Sequence, residues 1–126
     1  MNPTLLITDD DAGIRNALCE VFAASGIRTL LAKDGQEAID LLNVEPVHVG
    51  LFDLQMPRIS GIETIAHIRS RGLDVSCILM SAALDDEVIA QARRQEVYSV
   101  LAKPFRCSAV ARVVREALAQ FHGWRE

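Results

Sequence analysis

Apolar positions along the chain fall into two spacings that take turns. Five short runs are apolar almost throughout: Thr4–Thr8, Ile27–Ala32, Val47–Phe52, Val75–Met80 and Val97–Leu101. Runs of this length, rich in branched residues and bounded by turn residues, read as buried strands. After each run, apolar residues recur three and four apart, which is the spacing of one helix face. Ile14, Ala17, Leu18, Val21 and Phe22 form the first such stripe, and Ala38, Leu41 and Leu42 the second. Ile62, Ile65 and Ala66 begin a third. Leu84, Val88 and Ala92 give a fainter fourth over Asp85–Arg94, and Val110, Val113, Val114, Ala117, Leu118 and Phe121 the clearest.

The punctuation agrees with this division. Gly26 after Ser25 is placed as a left-handed helix stop, and Gly72 closes the third helix. Asp34 followed by Glu37 predicts a capping box, and Pro46 separates the second helix from the third strand. Strand and helix therefore alternate five times with short connections. Such alternation predicts an α/β fold, a doubly wound five-stranded parallel sheet with five helices on its two faces. A closed barrel would need eight units. No linker, repeat or low-complexity tract interrupts the pattern, so one domain over residues 1–126 is expected.

Composition narrows the class. Half of the 126 residues are hydrophobic and 24% are charged, a globular balance. A net charge of -4 argues against a nucleic-acid surface. Cys19, Cys77 and Cys107 are odd in number, far apart and unpaired by any C-x-x-C spacing, which suits thiols in a reducing compartment. No apolar run is long enough to span a membrane, and the first residues carry no basic-plus-apolar secretion signal. A cytoplasmic protein with no membrane partner is the expectation.

The polar residues at the strand ends change this bland picture. Thr8 is followed by Asp9-Asp10-Asp11, three carboxylates where a helix cap needs one. Asp53 ends the third strand, Ser81 follows the fourth and Lys103 the fifth. In an open α/β sheet the ligand crevice lies outside those carboxyl ends. Crowded carboxylates need a cation, and Mg2+ suits a site with few carboxylates and phosphate oxygens as co-ligands. Asp9 and Asp10 thus read as half of a Mg2+ site, and Asp11 as the cap. Aspartate is a known nucleophile in phosphoryl transfer, and Asp53, on the central strand, is the candidate. A lysine and a small hydroxyl beside it, Lys103 and Ser81, suit a phosphoryl group, with the lysine neutralising charge on its oxygens. His48, His67 and His122 lie away from this rim and read as structural or exposed. Arg93, Arg94, Arg106, Arg112 and Arg115 read first as solvated charge, with a partner or dimer face on the last two helices as the alternative.

Four segments in register resemble the receiver domain of bacterial two-component response regulators. They are Leu5 to Asp11, the D-x-x-M-P-x-x-x-G stretch from Asp53 to Gly61, Leu79-Met80-Ser81-Ala82 and Ala102-Lys103-Pro104-Phe105. The resemblance implies the flavodoxin-like strand order 2-1-3-4-5. It implies that Asp53 accepts a phosphoryl group from a sensor histidine kinase or phosphotransfer protein, with output to an effector domain or downstream protein. It implies Mg2+ held by Asp9, Asp10, Asp53 and the backbone carbonyl of Gln55, and a cis Lys103-Pro104 bond. Catalysis would be limited to self-phosphorylation and slow loss of phosphate. Gln55 and Ala83 would flank the path of the hydrolytic water.

The chain departs from the family at its fifth strand. Val100 stands where relatives carry a switch aromatic, and Glu96-Val97 where they carry Gly-Ala. Tyr98 is two positions earlier, a step that keeps the strand face. A receiver-like module that no longer uses phosphate is one alternative. An aspartyl phosphotransferase or phosphatase of the haloacid-dehalogenase kind is another, but Gln55 occupies the place of its second aspartate. A nucleotide site lacks its glycine-rich loop.

Overall fold

The computed structural model describes residues 2–124. Strands β1 (Thr4–Thr8), β2 (Arg28–Ala32), β3 (Val49–Asp53), β4 (Ser76–Ser81) and β5 (Ser99–Ala102) alternate with five helices. These are α1 (Ala12–Phe22), α2 (Gly35–Val44), α3 (Gly61–Ser70), α4 (Asp86–Arg94) and α5 (Cys107–His122). All strands are parallel in the order β2-β1-β3-β4-β5, the doubly wound arrangement expected.

The pleat divides the core into two layers. Leu5, Ile7, Val49, Leu51, Ile78 and Met80 pack with Leu18 and Phe22 of α1 and Val110, Val114 and Leu118 of α5. Their neighbours Leu6, Phe52, Cys77 and Leu79 pack on the other face with Ala38 and Leu42 of α2 and Ile65 and Ile68 of α3. Burying each large side chain is worth about 1.5–3 kcal/mol, so both faces anchor the sheet. Helix α4 is the exception, with Ala92 its one buried residue. No helix among the described residues is long and apolar enough to cross a membrane. The three cysteines are free thiols.

Several expectations shift. The β5 ladder begins at Ser99 rather than Val97, because the Val97 N–H still closes α4 by donating to Ala92 O (3.0 Å). β3 begins at Val49, two residues later than the pattern suggests, and β4 runs one residue later at each end. Asp34 caps α2 through the Glu37 N–H (2.8 Å), yet the Glu37 carboxylate accepts from Lys33 N, so the predicted box is half formed. A complete box instead joins Ser60 and Glu63 at the start of α3. Gly26 is left-handed, as placed, but α1 has already ended at Phe22 and a turn intervenes. Phe121, counted in the inner stripe of α5, is exposed and meets Tyr98 edge-on (5.6 Å). Tyr98 precedes the β5 ladder and packs on the α1/α5 face, whereas Val100 packs on the opposite face. The two-residue displacement therefore does not keep the face. The histidines do lie away from the rim: His48 Nδ1 accepts from Thr4 N, and His122 shares a hydrogen bond with Ser76.

Long side chains do work the pattern did not show. Arg69 of α3 donates to the carbonyls of Gln95 (2.8 Å), Val75 (2.9 Å) and Glu96 (3.1 Å), tying α3 to the turns before β4 and β5. Glu96 itself adopts φ 54, in the left-handed region. A residue with a Cβ is strained there, which gives a physical reason for the glycine that the resemblance would place at this position. Glu96→Gly should raise stability by about 0.5–1 kcal/mol, net of the extra freedom it gives the unfolded chain. A higher urea midpoint at unchanged slope is the result to look for.

Candidate functional site

Strand register brings the rim residues together. Thr8 pairs with Phe52, so Asp9 and Asp53 emerge side by side. Asp53 pairs with Met80, and Ser81 with Ala102, which sets Ser81 one step and Lys103 two steps further along. The Lys103 N–H donates to Ser81 O (2.8 Å), and the Leu54 N–H to Met80 O (2.8 Å), so the ladder continues just past the strand ends. The Lys103-Pro104 peptide is cis, as the resemblance implied.

Lys103 Nζ donates to Asp9 Oδ2 at 2.8 Å and lies 3.3 Å from Asp53 Oδ1. Asp9 is fully buried and Asp53 nearly so, while Asp10 is exposed. Each of Asp9, Asp10 and Asp53 offers a carboxylate oxygen within 4.8 Å of the others. Burial first, and then the Asp9 charge, push the Asp53 carboxyl from 3.8 up to about 6, against the pull of Lys103. Burial alone would lower the Lys103 ammonium; its hydrogen bond to Asp9 and the charge of Asp53 outweigh that and hold it above the usual value. One lysine leaves three close carboxylates short of positive charge. The oxygen-only donor set and its unbalanced charge fit a hard divalent cation.

Asp11 caps α1 as expected, its Oδ1 accepting from Gly13 N (2.8 Å) and Ile14 N (3.2 Å). Ser81 does not cap α4; Asp85 does. Ser81 Oγ accepts from Ala83 N (3.0 Å), which leaves its hydroxyl hydrogen free to donate. Gln55 lies in the exposed loop two residues past Asp53, outside the trio of carboxylates. An apolar groove of about 320 Å³ adjoins Lys103, lined by Ile14, Ala82, Pro104 and Phe105.

Gly61, legible only as the last letter of a motif, has a steric reason. A Cβ there would stand 2.3 Å from the Asp53 carbonyl oxygen and 2.9 Å from its carbon. The Gly61 N–H also donates to Leu54 O (3.0 Å). The start of α3 is thus pressed against the backbone that carries Asp53.

The geometry has counterparts among known proteins. The profile of the family described as "Response regulator receiver domain" matches residues 5–115. "Sporulation initiation phosphotransferase F" of Bacillus subtilis is 30% identical over 118 residues, covering 94% of this chain and 95% of that protein. "Regulator of RpoS" of Escherichia coli K12 is 35% identical over 102 residues, 81% of this chain, and the chain spans only 30% of its length. A response regulator receiver domain protein (CheY-like) from Methanospirillum hungatei superposes with a TM-score of 0.92 at 18% identity, over 98% of both chains, a likeness of fold. The Francisella response regulator 1452 receiver domain gives 0.84 at 29% identity, over 94% of this chain and 98% of that one.

Two outcomes follow from the packing and charge of the rim. Gly61→Ala should cost about 2–3 kcal/mol, since the clash is with backbone that cannot rotate away; urea unfolding measures it. For Asp53, the raised carboxyl means that the folded, metal-free protein holds a proton the unfolded chain has lost. Stability contributed by this group is therefore present below about pH 4 and lost as pH rises to about 6. The advantage of Asp53→Asn over the parent should grow by about 1–2 kcal/mol between pH 4 and 7, the full linkage being reduced by water in the open cleft. Paired urea melts across that range check the sign.

Proposed function

The chain belongs to the response regulator receiver domain family, whose members are phosphorylation-activated switches of two-component signalling, and from that premise we propose that Asp53 is its phosphoacceptor. The supporting observation is the convergence of Asp53 with Lys103 (3.3 Å) and with the carboxylates of Asp9 and Asp10 at one rim. An oxygen of Asp53 attacks the phosphorus of a phosphohistidine on a sensor kinase or phosphotransfer protein. The P–N bond breaks as the P–O bond forms, the imidazole leaves with the electron pair and takes a proton, and an acyl phosphate remains. A carboxylate whose basicity is raised by burial is a stronger nucleophile than an ordinary one and is still mostly ionised at neutral pH.

Asp9, Asp10 and Asp53, with the Gln55 carbonyl, would hold Mg2+, which when bound neutralises phosphoryl charge. Lys103 carries a further positive charge to the phosphoryl oxygens, and the Ser81 hydroxyl donates to one of them. The apolar groove beside Lys103 suits the face of a donor protein, because Ile14, Pro104 and Phe105 border the acidic rim. A downstream protein, effector domain or second copy would read the flank of α4, β5 and α5, where α4 buries little. With Val100 in place of an aromatic and Tyr98 on the other face, that flank would respond through Ser81 without an aromatic swing. Self-phosphorylation and slow hydrolysis would be the only chemistry, in a cytoplasmic setting.

Intact mass after incubation with acetyl phosphate tests the reading. A gain of one phosphoryl group is expected with Mg2+, at least about tenfold less without it, and none in Asp53→Asn. No gain under conditions that label another receiver would instead favour a module that works without phosphate.

A further inference from the structure

The turn between β1 and α1 is held by more contacts than a helix cap requires. The Asp9 N–H donates to Ala32 O (3.1 Å) and Asp9 Oδ1 accepts from Asp11 N (2.9 Å), while Oδ2 takes Lys103. The Asp9 carbonyl remains. It belongs to a fully buried residue one step past the last ladder pair of β1, and an unpaired buried carbonyl is costly. Arg15, half-buried in the first turns of α1, reaches back six residues, and its Nη1 donates to that oxygen at 2.6 Å.

We propose that Arg15 is a positioning residue for the cation: by holding the Asp9 carbonyl it fixes the peptide between Asp9 and Asp10 and so aims the Asp10 carboxylate. The inference rests on the reading of Asp9, Asp10 and Asp53 as a Mg2+ site. Asp10 is the exposed member of the trio, and among the described residues its carboxylate makes no hydrogen bond or ion pair. Its direction comes from the backbone alone. Arg15 holds the peptide before it, and Asp11, bonded to Asp9 and capping α1, holds the residue after it. Without Arg15, the Asp9 carbonyl has no hydrogen-bond partner among the described residues, the Asp9–Asp10 peptide can tilt within the turn, and the outer ligand shifts with it.

The sign of the effect separates positioning from charge. A guanidinium bonded at the acidic turn repels a cation, so as mere charge its removal should tighten Mg2+ binding. As a positioning group its removal should weaken binding by about tenfold, the usual loss when a group that orients a metal ligand is deleted.

Isothermal titration of Mg2+ into the metal-free chain decides between them. The parent should bind, Arg15→Ala should bind about tenfold more weakly, and Arg15→Lys, which keeps a donor of similar reach, should recover most of the loss. In an Asp10→Asn background the Arg15→Ala loss should vanish, because Arg15 acts through Asp10. Binding by Arg15→Ala as tight as the parent's or tighter overturns the proposal, as does a loss that persists in full without Asp10. If Arg15→Ala does not fold by circular dichroism, Arg15→Met, which keeps the aliphatic stem, is judged by the same outcomes. A parent that binds no Mg2+ overturns the metal reading as well, whereas a parent that binds beside an unchanged variant overturns the role of Arg15 alone.

Discussion

Like charges of Asp9 and Asp53 are buried side by side, and the single ammonium of Lys103 touching both is what makes that burial tolerable. At 4 Å two unit charges near a protein surface interact by about 4 kcal/mol, which is comparable with the whole net stability of a small domain. The lysine cannot come from nearby sequence; it lies 94 residues from Asp9. Only a parallel sheet that places β5 on the same rim as β1 and β3 can deliver it. The fold and the charge balance of the rim are therefore one constraint.

That constraint is met by register more than by side-chain packing. Two layers of apolar side chains hold the strands at fixed offsets, so Asp9, Asp53, Ser81 and Lys103 arrive at their places as strand ends. What packing does not provide, backbone contacts do. Arg15 satisfies a carbonyl at the acidic turn, Arg69 gathers three carbonyls at the opposite end of the sheet, and Gly61 lets α3 begin in contact with the chain of Asp53.

The strands and their polar ends were legible because each is a local signal, an apolar run followed by a carboxylate, hydroxyl or lysine. Asp11 was legible as a cap for the same reason. Arg15 and Arg69 were not, since a long side chain reaching a main-chain carbonyl leaves no spacing to read. Phe121 misled because helical periodicity continues past the point where the sheet stops offering cover, so the last turn of α5 meets Tyr98 and solvent. Tyr98 misled because strand alternation was extended to a residue that lies before the ladder. At Asp34 the sequence of a capping box was present, but the Glu37 side chain accepts from Lys33 N instead.

The close seat of Gly61 behind Asp53 has a mechanical meaning. With a helix pressed on its carbonyl, the Asp53 backbone has no room to recoil. A larger group on its carboxylate has to be taken up at the neighbouring strand end rather than behind it. That side holds Ser81, the exposed residues Ala82 and Ala83, and beyond them the sparsely buried α4. A rigid seat behind Asp53 and a lightly buried helix beside it thus belong to one mechanical arrangement.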